Sequence, residues 1–202
     1  TMHKLRIEGD KATSICSVVT TNIVVPEFRA KGKNIDVDPL VLDVLVSMSA
    51  VPDTHKAWRS VVSDAFMEPR FFALPLDAAR RWTKIVNSWL AGDRERLLDL
   101  IGRITSNTGN IFASREADNV ARTLNIRRVS FIVYAAGTDA YLAHLPFMQE
   151  KLVDTLRSNP ADIVQAEVYL CMRVLLSRFK SQHLSGFWPI ILAELVRWRV
   201  CC

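Results

Sequence analysis

Glycine is scarce in this sequence, with seven residues among 202. Phosphate-cradling loops and the tight turns of all-β proteins both rely on glycine, because it adopts positive φ without strain. Half of the residues are hydrophobic, which is typical of a chain that folds and not of a disordered one. The composition therefore argues against a nucleotide-binding loop, an all-β fold and a disordered segment.

Long apolar runs are also absent, since no run approaches the ~20 apolar residues that a membrane-spanning helix requires. The chain begins with Thr1 and not with methionine. We therefore expect it to be a domain taken from a longer protein, and no signal or transit peptide can be read from it.

Motifs for metal binding and catalysis are missing. The four cysteines, Cys16, Cys171, Cys201 and Cys202, show neither CxxC nor Cys/His ligand spacing, so we expect no zinc site. We also expect the thiols to be reduced and the protein to lie in the cytosol, where disulfides are rare. The chain has no GxSxG, P-loop or HExxH motif, and its histidines lack a paired acid or cysteine. We expect a protein that is not an enzyme, with no catalytic residues, metal or cofactor.

The net charge of +5 lies mostly in the second half of the chain. This positive charge either keeps the protein soluble or forms a basic surface that binds an anionic lipid or protein. Nucleic acid is not an expected partner, because the basic residues are dispersed among acids and no nucleic-acid-binding motif occurs.

Apolar residues recur at helical spacing through three consecutive segments near the C-terminus, opened by Pro146, Pro160 and Pro189. Proline is tolerated in the first turn of a helix, so each proline marks a helix start. The third of these segments is predicted to turn one stripe toward the core: Leu184, Trp188, Ile191, Leu192, Leu195 and Trp198.

Similar stripes upstream, for example Trp58 to Phe66 and Trp82 to Leu90, bring the total to about nine helices. A long helix from Ser114 to Ala136 is expected to bury Ala117, Val120, Ala121 and Leu124. Short connections favour antiparallel neighbours. We predict an all-α fold of antiparallel helix pairs, a HEAT- or armadillo-like solenoid segment, with a globular α-helical bundle as the alternative. For the first 37 residues we predict a helix, although the β-branched run Thr20 to Val25 also fits a strand.

Two basic clusters are candidate lipid-headgroup sites. Arg127 and Arg128 interrupt an apolar stripe; they form a salt bridge to Glu167 or Glu116, or they bind phosphate with two guanidinium groups. The second cluster consists of Arg173, Arg178, Lys180 and His183. It stabilises a helix C-terminus by its positive charge, or it forms the rim of a headgroup site. A weaker third cluster, predicted to be a solvated helix face, contains Arg80, Arg81 and Lys84.

Several strings resemble the C-terminal region of the Dopey family. The strongest are Gln149-Glu150-Lys151-Leu152 and Phe187-Trp188-Pro189-Ile190-Ile191, and Leu124 to Phe131 is another. The resemblance covers roughly Asp38 to Trp198, whereas the first 37 residues match poorly. We accordingly divide the chain into residues 1–37 and 38–202 and expect one folded unit.

The resemblance implies a non-enzymatic scaffold in endosome–Golgi vesicle traffic, cytosolic and peripheral on Golgi, trans-Golgi and endosomal membranes. It implies binding to phosphatidylinositol 4-phosphate, to a Golgi scaffold related to Arf exchange factors and to an aminophospholipid flippase. The alternative is a module for protein–protein contact or homodimerisation without specific lipid binding. An exposed apolar patch near the C-terminus supplies the protein-interaction candidates Trp188, Leu195 and Trp198.

Overall fold

The computed structural model describes residues 9–30, 37–91, 93–105 and 114–200. Within these ranges every regular element is helical and no strand occurs, which confirms the all-α fold. The α-helices are α1 (Gly9–Val19), α2 (Val25–Ala30), α3 (Pro39–Ser49), α4 (His55–Met67), α5 (Leu76–Ala91), α6 (Arg94–Gly102), α7 (Arg115–Ala135), α8 (Leu145–Arg157), α9 (Asp162–Arg178), α10 (Ser181–Leu184) and α11 (Trp188–Val200).

The chain forms two compact units, Thr1–Asp93 with α1 to α5 and Arg94–Cys202 with α6 to α11. The expected division at residue 37 and the expectation of a single folded unit stay predictions. The N-terminal helices belong to the first unit, because α1 contacts α4.

The β-branched run after α1 is helical, as predicted, and the strand alternative is wrong. A π-helical turn, Thr20–Val24, joins α1 to α2 without a break. Thr20 and Val24 are both buried, and their four-residue spacing places them on one face of the helix. Burial of that face outweighs the preference of β-branched residues for strands, because β-propensity depends strongly on context.

Helices α3 and α4 are connected through a buried hydroxyl group. The Asp38 carboxylate accepts a hydrogen bond from the Leu40 N–H at 2.8 Å and so caps the start of α3, as the Asp-Pro pair predicts. Thr54 donates its hydroxyl to the Met48 carbonyl, 3.1 Å away, and accepts the indole N–H of Trp58 at 3.3 Å. The end of α3 is thereby held against the start of α4.

Aromatic rings fix the direction of α5. The ring centroids of Phe66 and Trp89 lie 5.8 Å apart, and those of Phe71 and Trp82 lie 5.1 Å apart. The end of α4 and the following 3₁₀ turn, Pro69–Ala73, therefore run antiparallel to α5. Helices α3 and α5 also pack together, and Asp43 of α3 bonds Arg81 of α5. Phe71 is buried, so the 3₁₀ turn contributes an aromatic ring to the core.

In the second unit, α7 packs on α9 and α6 packs on α8. Arg127 contacts Glu167, and further along both helices Tyr134 contacts Arg178, so α7 and α9 run in the same direction. Contacts between alternate helices are typical of stacked helix pairs, and the solenoid architecture of the whole chain stays a prediction. Ser114 caps α7, as predicted, by accepting the Ala117 N–H.

Two predicted core stripes are partly wrong. Of the residues expected to be buried in the first half of α7, Ala117 and Val120 are exposed, and Ala121 and Leu124 are only half-buried. Full burial in α7 begins at Ile126. The turns before Ile126 contact the segment after α6 through a polar side chain, since Arg122 donates to the Ile104 carbonyl. Trp188 and Leu192 are also exposed. Helix α11 packs on α8 and buries Ile191, so these two residues lie on its outward face.

Candidate functional site

Arg127 forms an ion pair with Glu167 across the α7–α9 contact. Its Nε donates to Glu167 Oε1 at 3.0 Å, and its Nη2 bonds the same oxygen. The Glu167 side chain is 9% exposed and that of Arg127 is 38% exposed. The hydrogen bond to Glu167 raises the pKa of Arg127 further. The salt-bridge alternative is confirmed for Arg127, with Glu167 as the acid.

Arg128 lies inside the protein and not on its surface. It is 5% exposed, and its Nη1 donates to Asn125 Oδ1 at 3.0 Å. Burial lowers the pKa of Arg128, and the nearby charge of Arg103 lowers it further. A phosphate-binding role for the Arg127–Arg128 pair stays a prediction, and it would require Glu167 to be displaced and Arg128 to leave the interior.

Cys171 lies between these helices and is fully buried. Burial raises the pKa of its thiol to about 11, although a hydrogen bond with the Ser130 side chain opposes this shift. Because the thiolate is the reactive form of cysteine, this residue contributes to packing and not to chemistry.

Asp139 organises the second basic cluster, although it was not among the residues predicted from the sequence. It adopts a positive φ of 58° in the turn after α7. Its N–H donates to the Arg178 carbonyl at 2.9 Å, and its Oδ1 accepts the Lys180 N–H at 3.1 Å. Its Oδ2 lies 3.5 Å from Lys180 Nζ and 4.0 Å from His183 Nε2. The run Gly137-Thr138-Asp139 was the available signal, because aspartate is one of the few residues that tolerate this conformation.

The remaining members of this cluster are arranged differently. The Arg178 guanidinium stacks over the ring of Tyr134, 4.6 Å from its centroid, a cation–π contact that holds it against α7. Arg173 is exposed on α9. The structure therefore brings Lys180 and His183 to one carboxylate, fixes Arg178 beside them, and leaves Arg173 on the helix face. This loop joint, formed by Asp139, Arg178, Lys180 and His183, is the candidate headgroup site that the structure assembles.

The third basic cluster forms one wall of a cleft between α3 and α5. The cleft has a volume of about 270 Å³ and is lined by Asp43, Asp77, Arg80, Arg81 and Lys84. Arg81 bonds Asp43 with both nitrogens of its fork, Nε at 2.6 Å and Nη2 at 3.3 Å. This helix face was predicted to be merely solvated; the packing of α3 beside it creates the cleft, which sequence spacing does not reveal.

An exposed apolar stripe runs along α11, as predicted near the C-terminus. Trp188, Leu192 and Val196 are 41%, 55% and 62% exposed, and their four-residue spacing places them on one face. The predicted interaction residues Leu195 and Trp198 lie in α11, and their side chains fall outside the described part of the structure.

Two kinds of feature are absent from the described residues. No helix there is long and apolar enough to cross a membrane. No group of three or more histidine, cysteine, aspartate or glutamate residues there could hold a metal ion.

Comparison with known proteins identifies the family. A family model described as DOP1 C-terminal matches residues 1–198, including the first 37 residues. The chain is 32% identical to Protein dop1 of Emericella nidulans over 199 residues, covering 92% of this chain and 11% of that protein. It is 32% identical to the Protein DOP1 homolog of Drosophila melanogaster and 31% identical to Protein pad-1 of Caenorhabditis elegans, each covering 94% of this chain and 8% of the relative.

No solved structure matches this chain. The chain spans about a tenth of the length of the relatives named above. The resemblance noted in the sequence is thus confirmed, and the chain belongs to the DOP1, or Dopey, family, in the part that the family model describes as C-terminal.

Proposed function

We propose that this domain is a non-catalytic adaptor in endosome–Golgi vesicle traffic that docks on membranes containing phosphatidylinositol 4-phosphate. The observation that carries the proposal is the match of residues 1–198 to the DOP1 C-terminal model. Its setting would be the cytosolic face of Golgi, trans-Golgi and endosomal membranes. Its proposed protein partners are the Arf-exchange-factor-related scaffold and the aminophospholipid flippase implied by the family resemblance.

The loop joint supports a role in headgroup binding. Lys180 is exposed, with 65% of its side chain accessible, and it pairs with Asp139 at 3.5 Å. Such an ion pair contributes little to stability, so a lipid phosphate can compete for the ammonium group without unfolding the protein. Arg173 adds an exposed cation on the same helix that leads into the joint.

Liposome flotation tests this proposal. The chain is mixed with vesicles containing phosphatidylinositol 4-phosphate, or with vesicles of equal charge containing phosphatidylserine. We expect preferential flotation with the phosphoinositide and a loss of that preference in the double variant Arg173→Glu, Lys180→Glu. The matched control is the double variant Lys56→Glu, Arg59→Glu, which reverses two exposed cations on α4 and so changes the net charge equally. Equal binding of both vesicle types would show general attraction of anionic lipid to a basic surface and would overturn the phosphoinositide preference. No binding to either vesicle type would overturn membrane docking by this domain.

A second function, protein–protein contact or homodimerisation, is favoured by the apolar stripe on α11. Exposed apolar stripes commonly mark partner surfaces. We expect the double variant Leu192→Ser, Val196→Ser to weaken self-association in sedimentation velocity while leaving flotation intact. A monomeric wild-type chain would leave this stripe to a partner other than a second copy.

A further inference from the structure

The most exposed large apolar side chains in the described part of the chain are two leucines. Leu40 is 72% exposed and Leu76 is 66% exposed. Leu40 is the second residue of α3, and Leu76 is the first residue of α5. Isolated exposed leucines are common on protein surfaces, but these two flank the same feature.

Each leucine lies about one helical turn from a residue that lines the cleft between α3 and α5. Leu40 precedes Asp43 by three residues, and Leu76 precedes Arg80 by four, and these spacings place each leucine on the same face of its helix as the cleft residue. Since α3 and α5 pack together, both leucines lie beside the cleft that these helices line. We call this surface the leucine-rimmed cleft; it comprises the two leucines and the cleft residues Asp43, Asp77, Arg80, Arg81 and Lys84.

The charges of the leucine-rimmed cleft leave it open to anions. Asp43 is occupied by the Arg81 fork, and the pKa of Asp43 is lowered chiefly by that hydrogen bond. Arg80 and Asp77 are joined at 3.4 Å, but their side chains are 70% and 81% exposed, so water screens their attraction.

Lys84 supplies a further cation to the cleft wall. The N-termini of α3 and α5 add partial positive charge beside Leu40 and Leu76, although the Asp38 cap offsets part of that of α3.

We propose that the leucine-rimmed cleft docks on the surface of an anionic bilayer, with Leu40 and Leu76 inserting among the lipid chains and Arg80 and Lys84 contacting lipid phosphates. This inference rests on the proposed function for its membrane setting, and it places the contact in the first unit, at the third basic cluster identified in the sequence. Two protruding leucines beside long, exposed cations suit a bilayer interface, where apolar tips enter the hydrocarbon boundary and cationic heads remain at the phosphates.

The test is flotation with vesicles of phosphatidylcholine and phosphatidylserine, with and without phosphatidylinositol 4-phosphate. The double variant Leu40→Ser, Leu76→Ser changes no charge, and we expect it to lower the partition coefficient by tenfold or more, since inserting one leucine side chain alone is worth on the order of tenfold. The matched control is Leu98→Ser, Leu170→Ser, which alters two exposed leucines of the second unit and should bind like wild type.

The cations are tested separately. We expect Arg80→Gln, Lys84→Gln to lower binding about fivefold for each cation removed and to reduce its dependence on salt. Arg81 is left intact in this variant, because its loss would strand the Asp43 carboxylate. Thermal unfolding of each variant establishes that it folds.

A direct readout of insertion complements flotation. In a chain with Cys201→Ser and Cys202→Ser, an environment-sensitive dye on Leu76→Cys should shift its emission to the blue when vesicles are added. The same dye on Leu98→Cys should not shift. Cys16 and Cys171 are buried, so labelling of the native protein is directed to the introduced thiol.

The outcomes separate this inference from the proposed function. If wild type floats and Leu40→Ser, Leu76→Ser floats equally well with no dye shift, the leucine-rimmed cleft is not the docking surface, while membrane docking by the domain stands. If wild type binds no anionic vesicle, both are overturned. If the double leucine variant alone loses binding, this surface is supported, and the presence or absence of a preference for the phosphoinositide then decides lipid specificity independently.

Discussion

Arg127 and Glu167 join two helices that run in the same direction, α7 and α9. Arg127 directs its Nε and Nη2 to one oxygen of Glu167, whose side chain is 9% exposed. Apolar stripes along the chain indicate which helix faces are buried, but they do not indicate that these two faces meet.

Removing Arg127 should destabilise the second unit. Arg127→Met leaves the Glu167 carboxylate buried without its cation, and we expect a loss of about 1–3 kcal/mol in the free energy of unfolding. Urea denaturation followed by circular dichroism measures it. Arg173→Glu, an exposed change on α9, is the control and should shift stability by less than ~0.5 kcal/mol. Equal effects of the two variants would contradict a structural role for the pair.

Cys171 should make the protein less stable in alkali. The folded state raises the pKa of this thiol from 9.0 to about 11, so the folded protein retains the proton that the unfolded chain releases. The resulting stabilisation is complete below pH 9 and is lost as pH rises from about 9 to 11. We expect Cys171→Ala to flatten this alkaline decline in urea titrations. Labelling with iodoacetamide at pH 8 should spare Cys171 unless denaturant is present.

Asp43 should contribute to the acid side of the stability profile. Its pKa is lowered from 3.8 by the Arg81 hydrogen bond and by the charges of Arg81 and Lys84. A lowered folded pKa gives stability that is present above pH 3.8 and is lost as pH falls through the folded pKa. Asp43→Asn should remove this part of the acid dependence. An acid titration in which Asp43→Asn and wild type coincide at every pH would contradict it.

Two substitutions of Asp139 should distinguish its structural role in the loop joint from the effect of its negative charge. Asp139→Ala loses the acceptor for the Lys180 N–H and places alanine at positive φ, and we expect a loss of about 2 kcal/mol in unfolding free energy. Asp139→Asn retains a side-chain oxygen that can accept the Lys180 N–H, and asparagine tolerates positive φ. We therefore expect it to lower the free energy of unfolding by less than ~1 kcal/mol. It also removes the negative charge beside Lys180 and His183, so flotation with phosphoinositide vesicles should rise about fivefold. No rise would indicate that the loop joint does not face the membrane.

The helices could be predicted from the sequence because their signals are local. The Asp38-Pro39 cap, the Ser114 cap and the apolar stripe from Trp58 to Phe66 each act within one or two helical turns. The ambiguous run after α1 is the exception: β-branched residues fit strand and helix alike, and packing of Thr20 and Val24 decided for the helix.

The candidate sites depend on residues distant in sequence. Arg127 and Glu167 are forty residues apart, and Arg81 and Asp43 are thirty-eight apart. The candidate arginines, and Glu167 as one of two possible acids for a salt bridge, could be predicted from the sequence. The roles of Asp139 beside Lys180 and of Asp43 beside Arg81 could not. The sequence also did not show which apolar side chains are exposed. Trp188 fits the predicted core stripe, yet it lies on the outward face of α11.

By itself the sequence determined that this chain is helical, where most of its helices begin, and that it belongs to the Dopey family. Those properties follow from short-range spacing, capping and a fixed order of distinctive residues. Only the tertiary structure decided which arginines are occupied by acids, which apolar residues remain exposed, and that Leu40 and Leu76 flank one basic cleft. The physical reason is that charge pairing and exposure depend on which helix faces pack together, and helical periodicity specifies a face without specifying its partner.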